Sequence, residues 1–186
     1  MDIIFVTGNE NKFSEASLIL SSFGIEIKHS GKEKKIEIQS DNLRDIVRYS
    51  LSHIKPMKDR CFIVEDGGLF INTLAGFPGP YSAQAFNTIG LEGILKLIED
   101  KKDRRACFRS VVGILLPNGD IRIFKGEVNG TISRVIIGKY AFAYNPIFIP
   151  KGRKRTFAQM SMGKKSAISD RGLAFSKLGS YLKNIP

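Results

Sequence analysis

The sequence is poor in the residues on which several common chemistries depend. Its 186 residues include two histidines, two cysteines and no tryptophan. Cys61 and Cys107 are far apart and both lie in apolar runs, so we interpret them as buried free thiols. His29 and His53 lie outside the segments that carry candidate chemistry, which argues against a histidine general base.

Long hydrophobic segments are also lacking. No apolar run approaches the roughly 18 residues that a membrane-spanning helix requires. Residues 1–6 lack the basic region of a signal peptide and are followed by polar residues. We therefore expect a cytoplasmic protein with no membrane partner. The apolar content of 42% and the charged content of 25% are ordinary for a globular chain of one domain, with or without two lobes.

Acidic residues are outnumbered by basic ones, and the formal charge is +11. Basic clusters occur at residues 32–35, 101–105 and 151–155. Such runs are usually solvated surfaces, and nucleic-acid binding is the alternative. Because no recognition helix, zinc-finger spacing or RNP motif accompanies them, we expect no specific nucleic-acid partner. A small anionic substrate would benefit from the same positive field.

One segment, residues 61–69, organises the chain. Its first four residues predict a strand buried on both faces, which ends in the adjacent carboxylates Glu65 and Asp66 and two glycines. Ionised carboxylates at the edge of a core are costly unless they are paired or bind a metal. Ligands of α/β sheets bind at the carboxyl ends of strands. The alternative is a polar turn leaving the strand. We expect residues 69–74 to continue the strand.

The N-terminal region contains a candidate phosphate site. Residues 2–6 predict a strand, residues 7–12 a polar turn with glycine, and the following residues a helix that ends at Gly24. This arrangement presents backbone N–H groups and a positive helix end to an anion, and Lys12 could contact a phosphate. The spacing is not that of a Walker A loop. A plain connection between strand and helix is the alternative.

Other segments predict further strands and helices. We expect strands over residues 25–28, 34–38, 106–116 and 121–134, the last two joined by a hairpin turn at Pro117–Asp120. We expect helices from Asp41 to Pro56, from Thr88 to Glu99, and after an N-cap at Ser169. Glu37 would be an isolated acid within a strand, which is unusual unless it faces a cleft.

Two later segments contain residues suited to a nucleotide. The loop of residues 138–150 carries several aromatic residues, which could either stack on a base or pack as ordinary loop residues. Lys164, Lys165 and Arg171 cluster around the predicted start of the last helix. Exposed cations there oppose the helix dipole, so an anionic ligand would explain them better.

These motifs together resemble the inosine/xanthosine triphosphate pyrophosphatase family, the Ham1-like enzymes. The matches, in chain order, are Thr7-Gly8-Asn9 with Lys12 and Glu15, Glu65-Asp66-x-Gly68-Leu69, Gly76-x-Pro78-Gly79-x-Tyr81-Ser82, Phe142-x-Tyr144-x-Pro146-Ile147-Phe148, and Lys165-Ser166-Ala167-Ile168-Ser169-x-Arg171-Gly172. They span nearly the whole chain. The resemblance implies an α/β fold with a long mixed central sheet flanked by helices, two lobes with a central cleft in a single domain, residues 1–186, and a homodimer.

The resemblance also implies an activity: hydrolysis of non-standard purine nucleoside triphosphates (ITP, dITP, XTP) to the monophosphate and pyrophosphate, with Mg²⁺. Glu37 and Asp66 would hold the metal. The implied catalytic residues are Asp66, as the base, with Glu65 and Lys12. The implied substrate-binding residues are Thr7, Gly8, Asn9, Glu10, Asn11, Lys12, Gly67, Phe142, Ala143, Tyr144, Asn145, Lys165, Asp170 and Arg171.

The residue chemistry agrees with this interpretation, because Mg²⁺ prefers one or two carboxylates with substrate phosphates and water. Four positions depart from the family pattern, however: Ser50, Gly67, Asn145 and Asp170 stand where relatives usually have Lys, Ser or Thr, Asp, and His. An ionised Asp170 can only accept hydrogen bonds, so we expect selectivity for 6-oxo purines to persist through Arg171 but to be weaker. The alternatives are a broader base range and a basic nucleic-acid-binding protein.

Overall fold

A computed structural model describes residues 2–30, 35–138 and 142–184 of the chain, and strands and helices follow one another along them. Within these residues the strands are β1 (Asp2–Phe5), β2 (Lys28–His29), β3 (Arg60–Ile71), β4 (Pro78–Gly79), β5 (Arg105–Leu115), β6 (Ile121–Ile132) and β7 (Phe148–Pro150). The α-helices are α1 (Glu10–Ser21), α2 (Leu43–Ser52), α3 (Ser82–Leu97), α4 (Met162–Ser166) and α5 (Asp170–Lys183). Short 3-10 helices cover Asn72–Leu74 and Phe157–Gln159.

These strands form one mixed sheet in the order β2-β1-β3-β5-β6-β7, with β4 paired to β3. β1 is parallel to β2 and β3, whereas the β3–β5, β5–β6 and β6–β7 pairs are antiparallel. β5 and β6 form the hairpin predicted around Pro117–Asp120. The expectation of a long mixed sheet is confirmed. None of the described helices has the length and hydrophobicity needed to cross a membrane.

The central strand, β3, does not end at its carboxylates. It continues its pairing with β5 through Glu65 and Asp66 as far as Ile71. The strand end expected at the carboxylates was therefore wrong, whereas the continuation expected over residues 69–74 is present as far as Ile71. Gly68 helps β3 to continue beside β4, because a Cβ at this position would lie 2.0 Å from the carbonyl oxygen of Gly79.

The core is divided along β3, whose successive side chains point to opposite faces. Cys61 and Ile63 pack against α1 and α5, whereas Phe62 and Val64 pack against α2. The last residues of β3 belong to a separate apolar cluster with α3 and β7. The polar segment Glu65–Gly68 therefore lies between apolar clusters at the two ends of the strand, which is where a ligand cleft can open.

Two predicted strands are shorter or absent. The strand expected over residues 25–28 is reduced to Lys28–His29, which pairs with β1 at the edge of the sheet. Residues 35–38 of the second form no strand, and Lys34 lies outside the described residues. Instead, the Ser50 hydroxyl donates a hydrogen bond to the carbonyl of Ile36. A side-chain bond to α2 thus holds this segment.

Two predicted helix starts were also misplaced. Asn42, and not Asp41, caps α2, because its side chain accepts the Arg44 N–H at 3.0 Å. α3 begins at Ser82 rather than Thr88, although the apolar residues expected in its second half do pack in the core. The cap of α5 is as predicted: the Ser169 side chain accepts the N–H of Gly172.

Candidate active site

A cleft of about 1250 Å³ lies at the middle of β3. It is bounded by the turn before α1, the segment before α2, the start of α3, the loop before β7 and the start of α5. Most of the predicted site residues line it: Thr7, Gly8, Asn9, Lys12, Glu37, Glu65, Asp66, Gly67, Phe142, Ala143, Tyr144, Asn145, Lys165, Asp170 and Arg171. Glu10 and Asn11 do not, since both are exposed on the first turn of α1 away from the lining.

The turn before α1 is held by side-chain hydrogen bonds. The Asn9 N–H donates to Thr7 Oγ1 at 3.2 Å, and the Asn9 side chain caps α1 by accepting the Lys12 N–H at 3.1 Å. The Nε2 atom of His29 on β2 lies 2.6 Å from the Thr7 carbonyl oxygen. These contacts fix the helix N-terminus at the edge of the cleft, in the geometry that suits an anion.

Glu65 is fully buried beneath this helix start, and its carboxylate is surrounded by donors. It accepts from Ser110 Oγ at 2.8 Å and from Arg171 Nε at 3.3 Å, and it pairs with Lys12 Nζ at 2.8 Å. Burial opposes its charge, but Arg171 and Lys12 outweigh burial and hold the pKa of Glu65 well below its usual range. Lys12 is mostly buried by this ion pair, with 19% of its side chain exposed.

Glu15 forms the second half of the same arrangement. Its carboxylate pairs with Lys165 and, at 2.5 Å, with Arg171 Nη1, and these cations lower the pKa of Glu15 although burial opposes them. Arg171 thus joins Glu15 to Glu65. We call these five residues, Lys12, Glu15, Glu65, Lys165 and Arg171, the inner network. Glu15 received no predicted role, although its position one turn after Lys12 places both on one side of α1.

Asp66 points to the face of β3 opposite Glu65. Lys35 pairs with Glu37 and lies 3.5 Å from Asp66 Oδ1, measured from its Nζ atom. Burial is the largest influence on Asp66 and raises the pKa of its carboxyl above the usual value, despite Lys35. We call Lys35, Glu37 and Asp66 the outer group. From the sequence, we interpreted Lys35 as part of a solvated basic run. Lys35 and Glu37 are two residues apart, and this spacing was the available signal that their side chains lie on the same side of an extended segment.

The outer carboxylates fit a hard divalent cation. Glu37 and Asp66 both contact one ammonium group, so they lie close enough to share a positive ion. Within residues 2–30, 35–138 and 142–184 no cluster of three or more His, Cys, Asp or Glu side chains could hold a metal. Mg²⁺ needs no such cluster, because it commonly takes one or two carboxylates and completes its coordination with water and phosphate.

Most aromatic residues of the loop before β7 have packing functions. The Tyr144 hydroxyl donates to the Ser82 carbonyl at 2.8 Å, its ring meets Phe86 edge-on, and burial raises the pKa of Tyr144 to about 12. Phe148 packs in the core, and Tyr140 lies outside the described residues. Phe142 remains partly exposed in the cleft, with its ring 5.9 Å from Lys165 Nζ. Of the described aromatics in this loop, Phe142 best suits stacking on a base.

Asp170 and Gly67, two of the departures from the family pattern, occupy tight positions. Burial raises the pKa of Asp170 to about 6, although Arg171 opposes the shift. Its helix start approaches β6 so closely that a Cβ at Gly126 would lie 1.9 Å from the Asp170 carbonyl oxygen. A Cβ at Gly67 would lie 2.9 Å from the carbonyl oxygen of Arg109. Serine or threonine at position 67 would therefore require β5 to shift.

The sequence matches the model of the Ham1 family over residues 3–181. The chain belongs to the Ham1 family. This family member is 45% identical over 183 residues to a dITP/XTP pyrophosphatase of Pyrococcus horikoshii, with 98% of this chain and 97% of that relative covered. It is 46% identical over 180 residues to a dITP/XTP pyrophosphatase of Saccharolobus solfataricus, with 96% and 92% covered.

Solved structures of Ham1 proteins share the fold. The Ham1 family member matches a HAM1 protein from Coxiella burnetii with a TM-score of 0.86 and 26% identity over the whole of both chains. It matches the Ham1 protein of Staphylococcus aureus with a TM-score of 0.77 and 25% identity over 98% of both chains. The predicted α/β class, with its mixed central sheet and flanking helices, is confirmed.

Proposed function

We propose that this chain hydrolyses dITP, XTP and ITP to the nucleoside monophosphate and pyrophosphate. Relatives that are 44% to 46% identical over nearly the whole chain carry the name dITP/XTP pyrophosphatase. The observation that carries the proposal is the composition of the cleft, which is lined both by Lys12, Lys165 and Arg171 and by the carboxylate pair of Glu37 and Asp66. A triphosphate needs cations along its length, and its hydrolysis needs a base.

We assign the phosphates to the turn before α1. Thr7 and Asn9 hold the helix start in place, and Lys12 adds a positive charge near it. Helix N-termini and lysine ammonium groups are both common phosphate ligands. Lys12 is held by Glu65, so the carboxylate of Glu65 positions a cation, and its burial argues against direct contact with substrate.

We assign proton abstraction to Asp66. Water attacks the α-phosphorus, the bond from that phosphorus to the bridging oxygen of the β-phosphate breaks, and pyrophosphate leaves. Asp66 takes the proton of the attacking water, since its carboxylate lines the cleft and can act as a general base. Glu37 and Asp66 would hold Mg²⁺, which when bound supplies positive charge to the phosphates. The remaining steps depend on binding and orientation by the residues of the cleft.

We assign the nucleobase to the part of the cleft that is lined by Phe142, Asn145 and Asp170. Phe142 offers an aromatic surface. The Asn145 amide can donate and accept, so it suits a purine with an O6 acceptor and an N1–H donor. A protonated Asp170 could donate to O6, and an ionised one could accept from N1–H. With a pKa near 6, Asp170 is mostly ionised at neutral pH.

The direct test is a panel of ITP, dITP, XTP, GTP and ATP, assayed with Mg²⁺ for monophosphate and pyrophosphate. We expect kcat/KM to be highest for ITP, dITP and XTP. The matched control is Asp66→Asn under the same conditions, which excludes a contaminating phosphatase. Equal turnover of ATP and ITP would favour the alternative of a broader base range. Release of orthophosphate instead of pyrophosphate, or no turnover, would overturn the proposal.

The family resemblance also supports a cytoplasmic homodimer, which we include in the proposal. Light scattering of the purified protein should give twice the mass of one chain. The mass of a single chain at micromolar concentration would contradict the dimer without affecting the proposed activity.

A further inference from the structure

Lys35 has an environment that the proposed reaction does not explain. Its side chain is only 14% exposed, although long basic side chains normally extend into water. Its ammonium group contacts Glu37 and lies 3.5 Å from Asp66, the two carboxylates assigned to the divalent cation. A positive charge therefore already stands between the groups that would hold another.

The backbone next to Lys35 is fixed. The Ser50 hydroxyl of α2 donates a hydrogen bond to the carbonyl of Ile36, and Ser50 is itself buried. Glu37 is the next residue, so both side chains of the Lys35–Glu37 pair extend from a held segment. The ammonium can move by rotation of its own side chain, without unfolding the segment that carries it.

Charge balance determines how the outer group responds to a divalent cation. Two carboxylates and one ammonium carry a net charge of −1, so the outer group is incompletely neutralised in the absence of metal. A divalent cation added to two carboxylates neutralises both and repels an ammonium at the same place. The triphosphate, which lies next to this position in the proposed reaction, offers that ammonium a new anionic partner.

We propose that Lys35 is a displaceable counter-cation, which holds Glu37 and Asp66 together without metal and competes with the divalent cation for them. The inference rests on the proposed function, because it takes Glu37 and Asp66 as metal ligands. Lys35 is thus a positioning residue, which acts through these two carboxylates.

The test is the affinity of nucleotide-free protein for Mn²⁺, with free Mn²⁺ measured by electron paramagnetic resonance. Lys35→Met removes the competing charge, so we expect it to bind Mn²⁺ about tenfold more tightly than the wild type. Lys35→Gln is measured in parallel and should behave alike, which keeps the test open if one variant does not fold. Lys28→Met is the matched control, because Lys28 pairs with Asp2 outside the cleft; its Mn²⁺ affinity should equal that of the wild type.

A second readout is the unfolding temperature. Without metal, Lys35→Met should unfold at a lower temperature than the wild type, because two carboxylates lose their shared cation. Saturating Mn²⁺ should remove this difference in unfolding temperature, since a ligand gives more stability to the protein that binds it more tightly. The Lys28→Met control should show no metal-dependent recovery.

Unchanged or weaker Mn²⁺ affinity in both Lys35→Met and Lys35→Gln would overturn the inference. The absence of measurable Mn²⁺ binding to all of the proteins would overturn it as well. Failure of this inference is distinguishable from failure of the proposed function. A wild type that releases pyrophosphate from ITP, combined with unchanged Mn²⁺ affinity in the variants, would reject only the role of Lys35. No pyrophosphate release by the wild type would reject the proposed function itself.

Discussion

The inner network and the outer group lie on opposite faces of the same strand, and they differ in how completely their carboxylates are neutralised. Glu65 has Lys12, Arg171 and Ser110 around it, and its pKa is held well below the usual range. Asp66, the next residue, has its pKa raised because burial outweighs the nearby charge of Lys35. Neighbouring carboxylates of one strand can therefore have opposite pKa shifts, because alternation gives them different surroundings.

This difference distinguishes carboxylates that stabilise the fold from carboxylates that can take part in the reaction. A carboxylate with all its partners in place stabilises the fold and has little capacity for a new ligand. A carboxylate that is buried with insufficient positive charge can gain from a metal ion or a proton. We therefore expect substitutions in the inner network to affect stability first, and those in the outer group to affect turnover first.

The largest effect on stability should follow from Glu65→Gln. The change keeps the shape of the side chain, but it leaves Lys12 without its buried countercharge and Arg171 with Glu15 alone. Breaking a buried pair in this way costs about 3–5 kcal/mol in comparable cases. Urea denaturation measures the loss in the free energy of unfolding. The control is Glu127→Gln, which breaks the exposed pair with Arg109 and should change stability little. Equal losses in the two variants would contradict the structural role of the inner network.

Asp66→Asn should show the opposite pattern. We expect kcat to fall at least a hundredfold, which is about 2.7 kcal/mol of barrier. The free energy of unfolding should be unchanged or higher, because the variant removes a carboxyl whose charge burial disfavours. Activity above a tenth of the wild type, or a loss of stability comparable to that of Glu65→Gln, would remove the distinction between the two faces.

Asp170, at the start of α5, should make the stability of the protein depend on pH in the opposite direction to Glu65. Its folded-state pKa is raised to about 6, so its ionised form is disfavoured in the fold, and its contribution to stability improves as pH falls from 7 towards 4. Glu65, with a lowered pKa, loses its contribution only below the unfolded pKa near 4.5. Asp170→Asn should therefore be about 1–2 kcal/mol more stable than the wild type at pH 8. That advantage should vanish near pH 4, and an advantage independent of pH would contradict the raised pKa.

Lys12→Ala should give the smallest effect of these substitutions, and it should change both substrate binding and stability. Loss of a phosphate contact should raise KM about tenfold, or 1.4 kcal/mol. Stability should also fall slightly, since Glu65 keeps Arg171 and Ser110 as partners. Lys28→Ala, which breaks an exposed pair with Asp2, is the control and should leave KM unchanged. An unchanged KM and kcat in Lys12→Ala would reject the phosphate assignment, whereas unchanged stability would reject only its link to Glu65.

The parts of the site that the sequence predicted are those with local signals. Asn9 and Lys12 follow a strand and open a helix, and Arg171 follows the serine that caps α5. Such signals depend on neighbours within a few residues. These local signals identified the segments around Thr7, Glu65 and Arg171 separately, and the family resemblance implied that they share one cleft. The structure brings them together there.

The missed features depend on partners that are distant in the chain. Ser110 binds Glu65 across 45 residues, and nothing near either residue indicates the pairing. The unbroken pairing of β3 through Glu65–Gly68 likewise depends on β5, which supplies a partner for each of these residues. Lys35 was assigned to the surface because a basic run usually lies there, and only the packing of its segment against α2 reveals otherwise.

Arg171 also has a consequence for the order in which the chain can be assembled. It neutralises Glu15 from a distance of 156 residues and Glu65 from a distance of 106. A nascent chain that lacks its last segment holds both acids near an apolar interior without this guanidinium. The ribosome must therefore release α5 before the charges of the cleft can be balanced. A C-terminal truncation that removes this helix should leave a chain that binds chaperones, rather than a folded chain that is merely inactive.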